Sequence, residues 1–553
     1  MVIPMHIFFL RKNKYSDIYQ KELSHFKNNY ITLRDATNIK KLNIKFSYFI
    51  FQLLQLNFKE VKAIFILMNI HWYRKKHNDN YYLKMLQQYH YLFDNVLGYP
   101  LDIEQRKAVI NDEWNTLILA GAGSGKTLTM IGKVLYLLAK GIDPFQILVI
   151  SFTNASVNSF IDKIKLYDIK IDVFTFHKLG ISIIKDKGVK VRISQDKLLE
   201  QIMCKYNINL NDQKLIMTFI HLFKSQNLSM EQFKGYKSKT KANKRNFDLI
   251  TIIEKIYQEY ILYLNQKELI DFDDMINLAI KLVDHRSFVM KYKYILVDEY
   301  QDTSLTKFNL LKKILNLTNS KLVAVGDDWQ SIYRFTGCDL EIFLGFKDNF
   351  PDSNIVSINK TYRNSQQLID IAKQFIMKNP HQLYKKLISD KKISFPVIVF
   401  LYNDFNKCLK IVLDRLLTND FNQNILILGR NNNDFNLIQN KEFQVIDENS
   451  FIYKEKMIKY MTVHKSKGLE ADNVIIINLV DKVDGFPSKI MNHEILSLIC
   501  PNQEKYIFDE ERRLFYVALT RTKNYVYLFA PANKVSLFVQ EIMDYSNVQI
   551  IKE

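Results

Sequence analysis

The chain has 553 residues, 48% of them hydrophobic, and its 77 lysines and arginines exceed its 58 aspartates and glutamates by 19. This length is too great for one compact core, so we expect several domains. The positive charge favours a polyanionic partner, first of all nucleic acid. The four cysteines lie far apart, which argues against a disulfide framework or a Cys-x-x-Cys metal site and favours a reducing setting.

Residues 1–95 are predicted to form a helical N-terminal extension that is rich in aromatic residues and lysines. Its most apolar stretch, FSYFIFQLLQLNF (46–58), is too short to span a bilayer and predicts a buried helix. The start of the chain has no basic region followed by an apolar signal core. We therefore expect no secretion signal and no membrane partner.

The segment AGAGSGKT (120–127) approaches the phosphate-binding pattern G-x-x-x-x-G-K-[ST], with alanine at the first position. It follows the apolar run TLILA (116–120) and precedes apolar residues at helical spacing, which is the strand–loop–helix context that the pattern requires. The glycines let the loop turn its N–H groups onto phosphate oxygens, while Lys126 would reach the β- and γ-phosphates and Thr127 would hold Mg²⁺. The predicted nucleotide site consists of Ala120, Gly121, Ala122, Gly123, Ser124, Gly125, Lys126 and Thr127.

From Thr116 onward, apolar strands alternate with helical patterns, which predicts an α/β protein with parallel sheets. The strands fall into two sets, one at 116–120, 147–151, 172–176, 294–299 and 322–327, the other at 425–429, 461–464, 474–479 and 525–530. Two sets predict two similar lobes. The predicted domains after the N-terminal extension are a first lobe in two parts (96–183 and 285–358), a helical insertion (184–284) and a second lobe (359–553).

The run ILVDEYQD (295–302) ends a predicted strand with Asp298 and Glu299. In ATPases an acid pair at this place has two roles: Asp298 would hold Mg²⁺, and Glu299 would orient and deprotonate the attacking water. An isolated Asp-Glu more often caps a helix. The preceding strand and the phosphate loop favour the catalytic role here.

The next predicted strand ends in GDDWQSIYRF (326–335). Gln330 is placed to sense the γ-phosphate, and the rings of Tyr333 and Phe335 offer flat faces for stacking bases. Aromatic residues in such a segment more often belong to a core, but the two motifs before them favour a sensor and stacking role.

Taken in order, these blocks resemble the superfamily 1 DNA helicases of the UvrD/Rep type, and most of all their helicase IV branch. The resemblance runs from about Tyr99 to Ala530. Further blocks that match the family are PLDIEQRKAV (100–109), SFTNASVNSF (151–160), FTFHKLG (174–180), DFDDM (271–275), TYRNSQQLIDIA (361–372), MTVHKSKGLEADNVIIINL (461–479) and EERRLFYVALTRTK (510–523).

The resemblance implies two RecA-like lobes with ATP and Mg²⁺ in the cleft between them. It implies that Gln105 reads the adenine edge and that Tyr362 stacks on the adenine. It further implies that Arg363 touches the γ-phosphate, Glu470 contacts the sugar and Arg521 acts as an arginine finger. Arginine suits this work because its planar, permanently charged fork stabilises charge spread over phosphate oxygens.

The resemblance also implies contacts to single-stranded DNA by Phe152, Thr153, Asn154, His177 and His464. The leading interpretation is an ATP-dependent, 3′-to-5′ single-stranded DNA translocase and helicase in a bacterial-type cytoplasm. It would act on single-stranded, forked or tailed DNA, as a monomer or a loosely self-associating protein.

Two other functions remain as alternatives. The first is a remodelling factor that uses ATP to displace a protein machine such as RNA polymerase from nucleic acid, with residues 1–95 as the surface for a protein partner. The second, a phosphate-loop kinase, explains neither the second-lobe arginines nor the DNA-contact blocks.

Three features depart from the family pattern. Thr336 stands where UvrD and Rep carry the arginine of W-R-G-A, and Arg334 lies two residues earlier. About a hundred residues separate Arg363 from Met461, so we expect the large accessory domain to be missing or vestigial. Because few residues follow Ala530, we expect no C-terminal nuclease domain.

One further basic run, KGYKSKTKANKR (234–245), contains no acid. It either grips phosphates or forms a solvated loop.

Overall fold

The described residues of this computed structural model are 29–41, 69–194, 197–438, 441–489, 493–500 and 506–553. The buried helix predicted at 46–58 lies outside them. Within the described part of the chain, no helix combines the length and apolar character needed to cross a bilayer.

The strands of the described residues fall into two large sheets and one small one. In chain order they are β1 (Asn115–Ala120), β2 (Ile147–Ser151), β3 (Asp172–Thr175), β4 (Arg192–Ile193), β5 (Leu269–Ile270), β6 (Tyr294–Val297), β7 (Lys321–Gly326), β8 (Ser353–Ile358), β9 (Val397–Tyr402), β10 (Ile425–Gly429), β11 (Gln444–Asp447), β12 (Ser450–Tyr453), β13 (Lys456–Thr462), β14 (Ala471–Ile476), β15 (Thr522–Pro531) and β16 (Val548–Lys552).

The helices surround these sheets. In chain order they are α1 (Leu33–Lys41), α2 (Ile70–Gln88), α3 (His90–Asp94), α4 (Ile103–Ile110), α5 (Lys126–Ala139), α6 (Asn154–Lys165), α7 (Phe176–Asp186), α8 (Lys197–Lys205), α9 (Leu210–Ser225), α10 (Met230–Lys239), α11 (Lys244–Gln266), α12 (Phe272–Leu282), α13 (Leu305–Thr318), α14 (Leu340–Leu344), α15 (Phe346–Asn349), α16 (Gln366–Ile376), α17 (Phe405–Asn419), α18 (Glu494–Ser497), α19 (Asp509–Leu519) and α20 (Leu537–Met543).

The first sheet has the order β3-β2-β6-β7-β1-β8, and every neighbouring pair is parallel. Its central strands are apolar on both faces. In β1, Leu117 and Leu119 pack with α7, α12 and α13, while Ile118 packs on the other side with α4, α5 and α6. Burial of both faces explains why these strands read as unbroken apolar runs rather than as alternating ones.

The second sheet has the order β11-β12-β13-β10-β14-β15-β9-β16. Its strands are parallel except for the antiparallel pairs β11–β12 and β12–β13. Strand β9 shows the same two-sided burial, since Val399 packs towards α16 and α19 and Phe400 towards α17. The described residues between Arg363 and Met461 thus belong to this sheet and its helices, which leaves no large accessory domain among them.

The helices α8 to α11 form a separate apolar core that stands beside the first sheet. A short segment from the second lobe, residues 493–500, enters this core with Ile495 and Ile499, both nearly fully buried. We refer to residues 493–500 as the docking segment. The amide of Gln226 donates to the carbonyl of Ile499, and Asn246 donates to the carboxylate of Glu494. The docking segment therefore links the second lobe to the helical insertion.

The predicted fold class is confirmed: two RecA-like parallel-sheet lobes carry a helical insertion in the first lobe and helices before it. Of the predicted extension, α1 to α3 are described. Helix α1 is anchored by Glu113, which accepts from the backbone N–H of Leu33 at 2.7 Å and pairs with Arg74. Helix α12 contributes Ile276 and Ala279 to the core of the first lobe. The domain limits themselves stay a prediction.

Candidate active site

The phosphate loop connects the end of β1 at Ala120 with the start of α5 at Lys126. Gly123 and Gly125 adopt left-handed φ angles of +70° and +77°, which other residues adopt only at a cost. No side chain caps α5, so its first N–H groups are open to an anion. The loop therefore has the backbone that a phosphate-binding site requires.

The loop is held from two sides. On one side Gln105 donates from Nε2 to the carbonyl of Ser124 at 3.0 Å. On the other, Thr361 donates from Oγ1 to the carbonyl of Ala122 at 2.8 Å, and the Tyr362 N–H donates to the carbonyl of Gly123 at 3.0 Å. Because the segment around residue 362 leads into the second lobe, the loop lies at the junction of the two lobes.

The acid pair lies opposite the loop lysine. Lys126 Nζ is 3.5 Å from Glu299 Oε2, and Lys467 Nζ from the second lobe is 4.0 Å from the same oxygen. Burial disfavours a charge on Glu299, but these two lysines outweigh it and hold the pKa of Glu299 well below its usual range. Burial and the negative charge of Glu299 raise the pKa of Asp298. The two lysines thus hold Glu299 as an ionised carboxylate.

The residues around this pair fit a Mg²⁺ site of the kind that accompanies phosphates. Among the described residues, no three His, Cys, Asp or Glu side chains cluster as a metal cage. Mg²⁺ beside phosphates needs only one or two protein groups, and its other ligands are phosphate oxygens and waters. Asp298, which directly follows β6, and Thr127 in the first turn of α5 would supply these two oxygen donors.

Two arginines of the second lobe reach this cleft. Arg521 is almost fully buried and donates from Nη2 to Gln330 Oε1 of the first lobe at 3.1 Å. Arg363 pairs with Glu470, with 2.8 Å between Nε and Oε2. Burial and the neighbouring Arg363 lower the pKa of Arg521 to about 9. The structure thus brings the predicted sensor and the predicted arginine finger together.

The residues predicted to bind adenine lie at the other end of the loop. Tyr362 is 52% exposed, and its hydroxyl donates to Asp102 Oδ2 at 2.8 Å. Gln105 is fully buried, and its Oε1 accepts from the Asp102 N–H at 2.9 Å. Both ends of the Gln105 amide are therefore bonded within the protein. Its reading of adenine stays a prediction, for which the amide keeps a second N–H and a second oxygen lone pair.

Four of the side chains predicted to contact DNA form one aromatic group. The rings of Phe152 and Tyr333 stack at 5.7 Å, and Phe335 meets His464 edge-on at 5.6 Å. The Tyr333 hydroxyl donates to the His464 carbonyl at 3.0 Å, which joins the two lobes. Phe335 is 51% exposed. Burial, with the charges of Arg430 and Lys467, lowers the pKa of His464 to about 4, so its imidazole is neutral near pH 7.

Of the remaining predicted DNA contacts, Thr153 and Asn154 directly follow Phe152 in the chain, and His177 lies at the start of α7. Thr153 and Asn154 are exposed at the start of α6, where the Thr153 side chain accepts from the Ser156 N–H. His177 meets the exposed ring of Phe272 edge-on at 5.5 Å. Burial and Lys307 lower the pKa of His177 to about 4.

Sequence reasoning missed two lysines of this region. Lys307 Nζ lies 4.4 Å from the ring centre of Phe152, and Lys467 Nζ lies 4.9 Å from that of Tyr333. Lys467 also donates to the Gln330 carbonyl at 2.7 Å. The only available signal for Lys467 was its place in the MTVHKSKGLE block, three residues after His464.

Arg334 does not lie free beside the aromatic group. Its Nε donates to Glu510 Oε2 at 3.2 Å, and its backbone N–H donates to the same carboxylate. The Thr336 hydroxyl donates to the Tyr333 carbonyl instead. Arg334 therefore links the first lobe to α19 of the second.

A phosphate loop between strand and helix, an acid pair after another parallel strand of the same sheet and arginines from a second sheet define a two-lobed phosphate-loop protein. Residues 101–351 match the family model of the UvrD/REP helicase N-terminal domain, and residues 444–532 match that of the UvrD-like helicase C-terminal domain. DNA helicase IV of Escherichia coli (strain K12) is 30% identical over 525 residues, which cover 86% of this chain and 74% of that protein. The chain belongs to the UvrD/Rep helicase family.

Two other relatives match shorter parts. The ATP-dependent DNA helicase Rep of Buchnera aphidicola subsp. Acyrthosiphon pisum (strain APS) is 32% identical over 335 residues, which cover 56% of this chain and 50% of that protein. The ATP-dependent DNA helicase PcrA of Staphylococcus aureus (strain Mu50 / ATCC 700699) is 29% identical over 317 residues, which cover 53% of this chain and 42% of that protein. The predicted family resemblance is thereby confirmed.

Proposed function

We propose that this chain is an ATP-dependent DNA helicase whose engine is a 3′-to-5′ translocase on single-stranded DNA. One observation carries the proposal. The segment 330–335 begins at Gln330, which Arg521 contacts across the cleft at 3.1 Å, and continues to Tyr333 and Phe335 in the aromatic group. Gln330, the predicted γ-phosphate sensor, is therefore only three residues from Tyr333, the first ring that would hold a base. A movement of Gln330 on ATP hydrolysis would be passed directly to that ring.

In this proposal the cleft residues have distinct roles. Glu299 accepts a proton from the attacking water as the bond between the γ-phosphorus and the ADP oxygen breaks. Lys126, Arg363 and Arg521 offset the charge that spreads over the phosphate oxygens. Mg²⁺, held by Thr127 and Asp298, would supply further positive charge at the phosphates. Gln105, Tyr362 and Glu470 bind the adenine and the sugar.

DNA binding is assigned to the aromatic group and its neighbours. Flat rings stack on bases of any sequence, so the grip would be sequence-tolerant. The proposed DNA contacts are Phe152, Thr153, Asn154, His177, Tyr333, Phe335 and His464. Since Tyr333 and His464 belong to different lobes, opening and closing of the cleft would move the two halves of this grip relative to each other.

The direction of movement is tested by translocation on single strands labelled at one end. A fluorophore at the 5′ end reports arrival of a 3′-to-5′ translocase, with a lag that grows with strand length. A fluorophore at the 3′ end reports departure without that lag. The Glu299→Gln variant is the control, because it keeps the fold of the site but lacks the base. The opposite pattern of lags would contradict the proposed direction.

A second candidate function is the displacement of a protein machine from nucleic acid. The observation in its favour is the exposure of large aromatic side chains before the first lobe, with Trp72 61% and Tyr91 81% exposed. Exposed aromatic residues are common at protein interfaces. ATP turnover that rises with a partner such as RNA polymerase, and not with bare single-stranded DNA, would favour this candidate over the first.

A further inference from the structure

Lys385 is a buried lysine that none of the motifs explains. It lies between α16 and β9, in the segment of the second lobe that covers the end of β7, and its side chain is 2% exposed. Its Nζ pairs with Asp327 Oδ1 and lies 2.6 Å from Asp328 Oδ1, and both carboxylates are fully buried. The same Nζ lies 4.6 Å from the ring centre of Trp329. A charge buried this deeply needs partners of opposite charge, and these two carboxylates supply them.

The pair continues directly to the nucleotide sensor. Asp327 uses its other oxygen, Oδ2, to accept from Gln330 Nε2 at 2.5 Å. Gln330 then accepts with Oε1 from Arg521 Nη2 at 3.1 Å. A carboxylate only accepts and a guanidinium only donates, so the Gln330 amide is bonded correctly in just one of its two orientations. Lys385 is thus the first residue of a series of side-chain contacts that continues through Asp327 and Gln330 to Arg521.

We propose that Lys385 is a positioning residue for ATP hydrolysis. It fixes Asp327, and through Asp327 it aims the Gln330 amide at the cleft. The inference rests on the proposed function, because it assigns ATP hydrolysis to the cleft that Gln330 faces. Asp328, the residue after Asp327, is not part of this series of contacts. Its Oδ2 accepts from the backbone N–H of Leu383 at 2.8 Å, and its Oδ1 pairs only with Lys385.

The two aspartates provide a matched pair of variants. Asp327→Asn and Asp328→Asn make the same chemical change in adjacent, fully buried residues that share the same lysine. We expect Asp327→Asn to lower the kcat of ATP hydrolysis by roughly tenfold to a hundredfold, the scale of a misplaced group near a reaction centre, with Asp328→Asn staying within roughly threefold. Equal losses of kcat in both variants would overturn the proposal.

Lys385 itself is tested in a double variant that also removes the charge of Asp328. Lys385→Met combined with Asp328→Asn leaves the net charge of the cluster unchanged, and we expect its kcat to fall as in Asp327→Asn. Lys385→Met and Asp328→Asn are then combined with Gln330→Ala. If Lys385 acts through Gln330, the kcat of this triple variant equals that of Gln330→Ala alone. A further loss of the same size in the triple variant would mean that the lysine is only structural.

The test of Lys385 can be distinguished from the test of the proposed function. All variants are compared as basal ATP turnover and as nucleotide binding, as well as with single-stranded DNA. Wild-type turnover that does not respond to DNA would defeat the proposed function, while the basal turnover of the same variants still decides the role of Lys385. If the double variant is insoluble, the Asp327→Asn and Asp328→Asn pair still tests the Asp327–Gln330 step on which the role of Lys385 depends, and equal losses of kcat would overturn that role.

Discussion

Arg521 is buried, and none of its bonding partners among the described residues is a carboxylate, which is an unusual position for a cation. Its guanidinium donates to the carbonyls of Val517 and Leu469 and to Gln330, all neutral oxygens. A buried cation with only neutral partners is costly, and the lowered pKa of Arg521 reflects that cost. An anion such as a triphosphate in the cleft would stabilise its charge. These contacts support the proposed role of Arg521 at the phosphates rather than in a structural ion pair.

The first prediction concerns this residue. Arg521→Ala is expected to lower the kcat of ATP hydrolysis by roughly a thousandfold, the scale of an arginine finger. DNA affinity should change little, because the aromatic group does not include Arg521. Steady-state turnover and the fluorescence anisotropy of labelled single strands measure the two quantities.

Arg512 is the matched control for that prediction. It lies in α19, which ends two residues before Arg521, and it is also buried. It pairs with Glu541 at 2.8 Å and donates to the Phe375 carbonyl, away from the cleft. Arg512→Ala should lower the free energy of unfolding and leave kcat near the wild-type value. A loss of DNA affinity in Arg521→Ala as large as its loss of turnover would show that its role is misassigned.

At the scale of elements, the phosphate loop is constrained by close packing against the second lobe. A Cβ atom added at Gly123 would lie 2.5 Å from the Cβ of Arg363 and 2.7 Å from Thr361 Oγ1. Gly141 has a similar left-handed φ angle of +83°, but a Cβ there would meet nothing within 4 Å.

The second prediction compares these two glycines. Gly141→Ala should lower the free energy of unfolding by about 1–2 kcal/mol, the cost of a left-handed conformation for alanine. Gly123→Ala should lower it further, because its added Cβ also clashes with Arg363 and Thr361. Only Gly123→Ala should also lower kcat/KM for ATP, because it pushes the loop away from Arg363. Chemical denaturation and steady-state kinetics separate the two effects. Equal kcat/KM values for both variants would mean that this contact has no part in ATP use.

The third prediction concerns the docking segment. Ile495→Ala removes a fully buried side chain from the core of the helical insertion, and such truncations cost about 2–5 kcal/mol. We expect amide hydrogen exchange to become faster in the docking segment, α9 and α11, with the central strands of the second sheet unchanged. Ser497→Ala, an exposed change in the same helix, is the control. Unchanged exchange in Ile495→Ala would show that the docking contact does not hold in solution.

Much of this element structure was predictable from the sequence. Strands β1, β2, β7 and β10 were predictable because buried parallel strands leave unbroken apolar runs. Strand β9, with the sequence VIVFLY, carries the same signal and was not recognised. The edge strand β16 is half-exposed and leaves no such run, so it could not be recognised. Most of the basic run at 234–245 is helical, in α10 and the start of α11, rather than a loop.

The motifs of the candidate site were predictable from the sequence, but the ion pairs between distant residues were not. The phosphate loop and the acid pair have local patterns, so the sequence predicted their positions. Lys385 reads as a surface lysine, because its partner Asp327 lies 58 residues away and only the fold brings them together. The same holds for Lys467, whose bond to Asp302 joins residues 165 positions apart. Long-range pairing of charges leaves no signal in a local pattern.

At the scale of the whole molecule, the two lobes and the insertion are described, and no large accessory domain lies among the described residues. Stepping along a single strand needs only the two lobes. Opening a duplex must also overcome stacking of about 1.4 kcal/mol for each base-pair step, which needs a surface that separates the strands.

The fourth prediction follows from this difference. We expect efficient translocation on single strands but limited unwinding of forks by isolated molecules, with improvement on longer 3′ tails that load several molecules. A translocation assay and a single-turnover fork-unwinding assay measure the two activities on the same preparation. Long, fast unwinding by single molecules would mean that the insertion or the N-terminal helices already separate the strands.

The central claim is that one segment, from Gln330 to Phe335, couples the ATP cleft to single-stranded DNA. The most direct test measures ATP turnover with single-stranded DNA, with duplex DNA, with RNA and without nucleic acid, using the Glu299→Gln variant as the blank. We expect ATP turnover to rise steeply with single-stranded DNA, to respond much less to duplex DNA and RNA, and to stay at background in the variant. Equal turnover with and without single-stranded DNA would contradict the central claim.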